Sequence, residues 1–177
     1  MKKYDNVAKH IHFPAQSGST RILEKMNRTY TREWYEMKYN RIKEVLPNCG
    51  VSCDIITGFC SETEEDHQAT LDLMRTCEFE FSYMYFYSER PGTLAARKYE
   101  DDVPEDSKRR RLSEVIEVQH EVSRKLNAAQ LGKIHRVLVE AKSKKNADEW
   151  MGRNEQNLKV IFPRSTYAIG DYVDVRI

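Results

Sequence analysis

Apolar residues recur along this chain at two periods, and the changes of period mark its elements. Lys9-His10-Ile11-His12-Phe13-Pro14 reads as a short strand ended by Pro14, followed by the polar turn Ala15-Gln16-Ser17-Gly18-Ser19. Ser19 is placed to cap a short helix carrying Ile22, Leu23 and Met26. Thr31 is placed to cap a longer one, in which Tyr35, Tyr39, Ile42 and Leu46 share a face and Pro47 and Gly50 close the end. Val51 to Phe59 is a strand apolar enough to be buried on both faces. Thr63 then caps a helix whose first turn is acidic and which ends near Cys77. A third strand runs from Phe79 to Tyr87, with Tyr83, Tyr85 and Tyr87 on one side, a stripe that usually packs in a core. After a looser stretch to Asp102, a long helix begins near Pro104. Leu112, Val115, Ile116, Val122, Leu126 and Ala129 form its apolar stripe, and Gly132 ends it. This β-α-β-α-β-α order predicts parallel strands with right-handed crossovers.

Beyond Gly132 the texture changes. His135 to Glu140, Leu158 to Phe162 and Tyr172 to Ile177 read as short strands, punctuated by Gly152 and Gly170. The expected fold is α/β: an incomplete (β/α) barrel portion over residues 1–132, then a small partial β-barrel over 133–177. Three β-α units cannot close an eight-fold barrel. The last strand also runs to the final residue, so both ends read as cut and the chain as an internal piece of something longer.

Composition narrows the function classes. The 177 residues carry 29 Lys and Arg against 28 Asp and Glu, a net charge of +1, which argues against a polybasic nucleic-acid binder. Mean hydropathy is −0.75, but 10% aromatic residues argue against disorder. No apolar run is long enough to span a membrane, and no secretory signal follows the charged N-terminus, so no membrane partner and a cytoplasmic location are expected. Cys49, Cys53, Cys60 and Cys77 have neither zinc nor iron–sulfur spacing and read as free thiols; no metal site is expected. The five histidines show no ligand spacing, and no Walker or Gly-x-Gly-x-x-Gly loop is present.

Candidate chemistry collects at the strand ends. Gln16 and Ser17 follow the first parallel strand, where loops and helix N-termini converge on ligands in α/β folds; they are suited to a ribose or a carboxylate. Asp54 lies within an apolar strand and must be paired or face a site. Gly58 lets a flat ligand approach the backbone, and Glu62 is placed to hold the loop. Arg90, after the tyrosine strand, is a reasonable anion ligand. The run Lys108-Arg109-Arg110-Arg111 reads as a solvated helix face compensated by Glu105 and Asp106, with a phosphate contact as the sharper option. The segment after Gly132 has nine basic against six acidic residues, with Lys142, Lys144, Lys145 and Arg153 around its first loop, as an RNA-binding module would.

The order of these pieces is more specific than any one of them. His12-Phe13-Pro14-Ala15-Gln16-Ser17-Gly18-Ser19, Met26-Asn27-Arg28-Thr29-Tyr30-Thr31, Asp54-Ile55-Ile56-Thr57-Gly58-Phe59, Glu62-Thr63 and Tyr87-Ser88-Glu89-Arg90-Pro91-Gly92-Thr93 resemble the radical S-adenosylmethionine methylthiotransferases, in order. Val139-Glu140, Gly152-Arg153 and Gly170-Asp171 resemble a TRAM domain, the tRNA-binding module of that family. Cys60-Ser61 stands where the family usually has Pro-Gly, and Asp54 where its fifth-strand motif has a first Gly. The resemblance implies a tRNA-modifying enzyme that adds a methylthio group to C2 of N6-isopentenyladenosine beside the anticodon. It implies Gln16, Ser17, Asp54, Ile56, Gly58, Glu62, Tyr87 and Arg90 as S-adenosylmethionine contacts, and Arg28, Lys142, Lys144, Lys145 and Arg153 as RNA contacts. It also implies two [4Fe-4S] clusters, whose Cys-x-x-x-Cys-x-x-Cys run and further three cysteines are absent from this sequence. No catalytic residue is therefore expected in this stretch, which should be inactive alone and bind neither cluster. Its expected partners are S-adenosylmethionine and the anticodon arm of tRNA, with no obligate protein partner. The competing expectation is a stand-alone RNA-binding module without catalysis.

Overall fold

A computed structural model describes residues 1–4 and 6–177. Its elements are β1 (His10–His12), α1 (Thr20–Lys25), α2 (Arg32–Val45), β2 (Gly50–Thr57), α3 (Glu64–Cys77), β3 (Phe81–Phe86), α4 (Leu94–Lys98), α5 (Glu105–Ala128), β4 (Ile134–Lys142), β5 (Glu149–Asn154), β6 (Lys159–Pro163) and β7 (Tyr172–Arg176). The caps explain several boundaries. The side chains of Ser19, Thr31, Thr63 and Thr93 accept hydrogen bonds from the first-turn amides of α1, α2, α3 and α4. At α3 the cap is reciprocal, because Asp66 accepts in turn from the Thr63 amide. Gly50 begins β2 rather than closing α2, which stops at Val45 with Leu46 as its cap.

Strands β1, β2 and β3 form a parallel sheet in that order. Helices α2, α3 and α5 cover one face of it. Val51, Cys53 and Ile55 of β2 meet Tyr35 and Tyr39 of α2, Leu71 and Met74 of α3, and Val115, Val118 and Val122 of α5 in a single core. The opposite face is open, and the tyrosine stripe lies there. Phe81, Tyr83 and Tyr85 are 47%, 50% and 55% exposed, so the core-packing expectation for the stripe is corrected. The reason is topological: all three large helices settle on the other side of the sheet.

α5 ends at Ala128, four residues before Gly132, and the buried part of its face differs from the expected stripe. Lys108 and Arg111 are buried with Val115, Val118, Gln119 and Val122, whereas Ala129 is exposed. The basic run splits: Arg109 and Arg110 stay on the solvated face, with Glu105 compensating Arg109 as expected, whereas Lys108 and Arg111 turn inward. Lys108 donates to Asp101 at 2.5 and 2.6 Å, Arg109 pairs with Glu105, Arg110 with Glu64 and Glu114, and Arg111 with Glu62 and Glu64.

Strands β4 to β7 form a separate antiparallel sheet in the order β6-β5-β4-β7, curled around Val137, Val139, Trp150, Val160, Phe162 and Val173. A bulge between Val139 and Ala141 bends β4. β5 fills a stretch in which no strand was expected. Gly152 is not punctuation there: a Cβ on it would lie 2.3 Å from the Leu138 carbonyl oxygen, so only glycine fits against β4. The two sheets touch where Gln156 Nε2 donates to the Asn48 carbonyl at 3.1 Å.

Candidate functional site

The carboxyl ends of β1, β2 and β3 meet in a cleft of about 670 Å3. Gln16 builds its rim. Its amide donates to the Asp54 carbonyl at 2.8 Å and its carbonyl accepts from the Ile56 amide at 2.9 Å, extending the sheet by one residue. It does so at φ +70°, a left-handed conformation uncommon for a residue with a Cβ. Gln16, Asp54, Ile56, Tyr87 and Arg90 all line the cleft, together with Tyr85. The structure thus brings together five of the eight residues expected to contact the cofactor.

The other three form the wall behind. Ser17 is buried, its Oγ 3.3 Å from Thr70 Oγ1. Gly58 lies at φ +67°, and a Cβ there would sit 2.4 Å from Lys108 Cγ. That side of Gly58 is closed by α5, so the position takes no side chain. Glu62 holds the loop, as the sequence indicated: its Oε2 accepts from the Gly58 amide at 2.6 Å and from Arg111 Nη1 at 2.9 Å. Burial pushes the Glu62 carboxyl up, while the Gly58 amide and Arg111 act against that rise. The Ser17–Ser19 turn is braced from α3, where Asp66 Oδ1 accepts from Ser19 Oγ at 2.6 Å and Arg21 pairs with the same carboxylate. Burial opposes ionisation of Asp66, but Arg21, Ser19 and Thr63 outweigh it and hold its pKa well below the usual range.

His12 is a neighbour that the sequence expectations left out. Its Nε2 lies 3.4 Å from Asp54 Oδ2, and its Nδ1 lies 2.9 Å from Ser52 Oγ, which also contacts His10 Nε2 at 3.0 Å. The alternation His10-x-His12 on a strand was the available signal, since period two places both on one face.

Residues 1–74 match the radical SAM superfamily and residues 128–177 match the TRAM domain. The chain is 55% identical over its whole length to a tRNA-2-methylthio-N(6)-dimethylallyladenosine synthase of Amoebophilus asiaticus. It is 54% identical, over 97% of its length, to the protein of the same name from Bacteroides thetaiotaomicron. The chain is thus similar to these relatives over nearly all of its own length. It spans 37% and 38% of their lengths. Among solved structures, coproporphyrinogen III oxidase from Escherichia coli, titled a radical SAM enzyme, superimposes with a TM-score of 0.56 at 15% identity. That match covers 83% of this chain and 41% of the oxidase, and it supports the parallel sheet as part of a radical SAM fold.

The cleft suits the nucleoside cofactor that gives this superfamily its name. It offers the side-chain amide of Gln16, the Asp54 carboxylate, the apolar flank of Ile56 and Tyr85, and the Arg90 guanidinium. Burial raises the Tyr87 phenol to about 12, so it stays neutral. The cysteines do not suit an iron–sulfur cluster. All four are buried free thiols and none lines the cleft; burial raises Cys53 and Cys77 to about 12, away from the thiolate a cluster needs. Among the described residues, Glu64, His67 and Glu114 form one group with metal-like spacing. Arg110 bridges both of those carboxylates, which makes the group an ion-pair network.

The residues expected to contact RNA separate into two sets. Arg28 is exposed just after α1, and Lys142, Lys144 and Lys145 are exposed around the β4–β5 turn. Arg153 is not in that loop but on β5, where its Nη1 donates to the Asn157 carbonyl at 2.9 Å and its Nε lies 3.4 Å from Glu140. Among the described residues no helix is long and apolar enough to cross a membrane.

Proposed function

We propose that this chain supplies one wall of the S-adenosylmethionine pocket and part of the RNA grip of a tRNA methylthiotransferase, acting on C2 of N6-dimethylallyladenosine beside the anticodon. Residues 1–132 would be the pocket module and 133–177 the TRAM-like RNA module. The observation that carries this is the cleft, where a side-chain amide, a carboxylate, an apolar flank and a guanidinium converge at the carboxyl ends of parallel strands. The names of the relatives supply the reaction. In this assignment Gln16 and Asp54 hold ribose hydroxyls, Ile56 flanks the adenine, and Arg90 and the neutral Tyr87 complete the pocket. Ser17, Gly58 and Glu62 fix its shape, and Arg28, Lys142, Lys144, Lys145 and Arg153 face the RNA. The radical chemistry would come from the cofactor and two iron–sulfur clusters, for which this sequence has no ligand run.

The test uses a longer enzyme that carries a Cys-x-x-x-Cys-x-x-Cys run ahead of this sequence. Gln16→Ala and Arg90→Ala should each lower formation of both 5′-deoxyadenosine and the methylthiolated nucleoside, read by mass spectrometry, at least ~10-fold. The 177 residues alone should give neither product after reconstitution with iron and sulfide. Full activity in both variants would refute the cleft assignment. The three exposed lysines favour the alternative of an RNA-binding module without catalysis, which predicts RNA affinity indifferent to every cleft substitution.

A further inference from the structure

The chain passes once between its two sheets, from α5 to β4, through Ala129-Gln130-Leu131-Gly132-Lys133. Gly132 sits there at φ +80°, with nothing within 4 Å of where a Cβ would lie. A single open connection through a left-handed glycine has the makings of a hinge. Among the described residues the two apolar cores share none, and between the modules lies a groove of about 900 Å3, lined from both sides by Lys43, Leu46, Gln130, His135 and Leu158. Apolar burial therefore does not fix the angle between them. The turn between β5 and β6 is a better candidate, because it is stiff. Asn154 Oδ1 accepts from the Gln156 amide at 3.1 Å and from the Leu158 amide at 2.9 Å. Arg153 Nη1 ties down the Asn157 carbonyl at 2.9 Å, with Asn157 at φ +64°. The tip of this turn is set against the residues that open β2. Gln156 Nε2 donates to the Asn48 carbonyl, and a Cβ on Gly50 would lie 2.8 Å from the Gln156 carbonyl oxygen and 3.0 Å from the Gln156 Cβ. Gly50 is outside the left-handed region, so its own backbone asks for no glycine. The residue that asks for one lies in the other module.

We infer that the β5–β6 turn, seated on Gly50 and held by Gln156, is a latch that locks the angle between the two modules and with it the span between the exposed lysines and the cofactor cleft. The latch lies at the amino end of β2 and the cleft at its carboxyl end, so the eight residues of that strand, roughly 23 Å, separate them. The turn that carries Lys144 and Lys145 is at the far end of β5 from the latched turn, about 17 Å along its six residues. Gly50 and Gln156 touch neither cleft nor lysines and act as positioning residues. With the hinge free, RNA held on the lysines would sample many distances from the cleft. With the hinge latched, one nucleotide is presented at a fixed span. This consequence rests on the methylthiotransferase reading, whereas the latch itself is a feature of the two sheets.

The experiment measures residual dipolar couplings of the backbone amides in the weakly aligned 177-residue chain. Both sheets of the native chain should report one common alignment. Gly50→Val, which forces the turn off its seat, should split this into two distinct alignments while the chemical shifts inside each sheet stay native. Gln156→Glu keeps the shape of the turn but removes the donor to Asn48, and should loosen the common alignment in the same direction without any change in β2. A common alignment kept in both variants, or two independent alignments already in the native chain, would overturn the latch. In the longer enzyme that carries the cysteine run, both variants should lower the methylthiolated nucleoside about 10-fold and leave 5′-deoxyadenosine formation within about twofold of native, because the cleft is untouched. Loss of both products together, as expected for Gln16→Ala, or loss of neither, would remove Gly50 and Gln156 from RNA positioning. The dipolar couplings need neither cofactor nor RNA, so the latch and the methylthiotransferase reading fail separately.

Discussion

Two basic runs, each followed by acidic or polar chain, have opposite fates in this molecule. Lys108 to Arg111 begin α5, where every one of them pairs with a carboxylate and Lys108 and Arg111 are buried. Lys142, Lys144 and Lys145 turn the corner between β4 and β5, and among the described residues none of them pairs with a carboxylate. The first run faces acids held by neighbouring elements, Glu62 and Glu64 at the start of α3 and Asp101 before α5. The second lies at the tip of a hairpin that nothing covers. A charge run therefore reports binding only when the fold leaves it without partners, and the two runs should respond differently to every perturbation of charge.

The largest expected effect is at Arg111. Its side chain is 7% exposed and faces Glu62, whose side chain is fully buried. Arg111→Met would strand a buried carboxylate and should cost about 3–5 kcal/mol in urea unfolding. Glu62→Gln, which keeps an acceptor for the Gly58 amide, should cost less. A loss below about 1 kcal/mol for Arg111→Met would place the run with ordinary surface ion pairs.

Next comes a packing change that touches no charge. Gly152→Val would press a side chain into the Leu138 backbone and should destabilise the antiparallel sheet by about 1–3 kcal/mol. Thermal unfolding followed through Trp150, which lies in that core, should move, while the transition of the parallel-sheet core should stay in place. A common shift of both transitions would show that the two sheets unfold as one unit.

What was legible in the sequence follows from range. Caps at Ser19, Thr31 and Thr63 satisfy amides three residues away, so local pattern suffices to find them. Gln16, Asp54 and Ile56 were legible because strand ends in a β-α order must converge. The burial of Arg111 depends on an acid 49 residues away, which no local window contains. The sheet face bearing Tyr83 could not be assigned, because period two names a side but not which side the helices cover. β5 escaped because Gly152 interrupts its pattern, and the contact requiring that glycine comes from β4.

A smaller effect is expected from acid. Hydrogen bonds from Arg110 pull Glu64 from its ordinary 4.5 to about 2, and Asp66 is held below its ordinary 3.8 by Arg21, Ser19 and Thr63 against the cost of burial. Both folded values lie below the unfolded ones. The stabilisation is therefore present in full above the ordinary carboxylate range and is lost as pH falls from about 4.5 towards 2. Urea midpoints measured across that window should drop less steeply in Asp66→Asn than in the native chain. An unchanged slope would remove Asp66 from the account.

The smallest effect on stability belongs to the unpaired run. Changing Lys142, Lys144 and Lys145 together to Ala should leave the urea midpoint within about 0.5 kcal/mol of the native value, since no partner is lost. RNA binding is where this change should register. If these lysines contact phosphates of single-stranded RNA, the slope of log affinity against log salt should fall by about 0.7 per lysine removed. The same triple change in α5, at Arg109, Arg110 and Arg111, should unfold the protein before any salt slope can be read. A stable α5 triple variant with weakened RNA binding would invert the comparison and make the helix the RNA-facing surface.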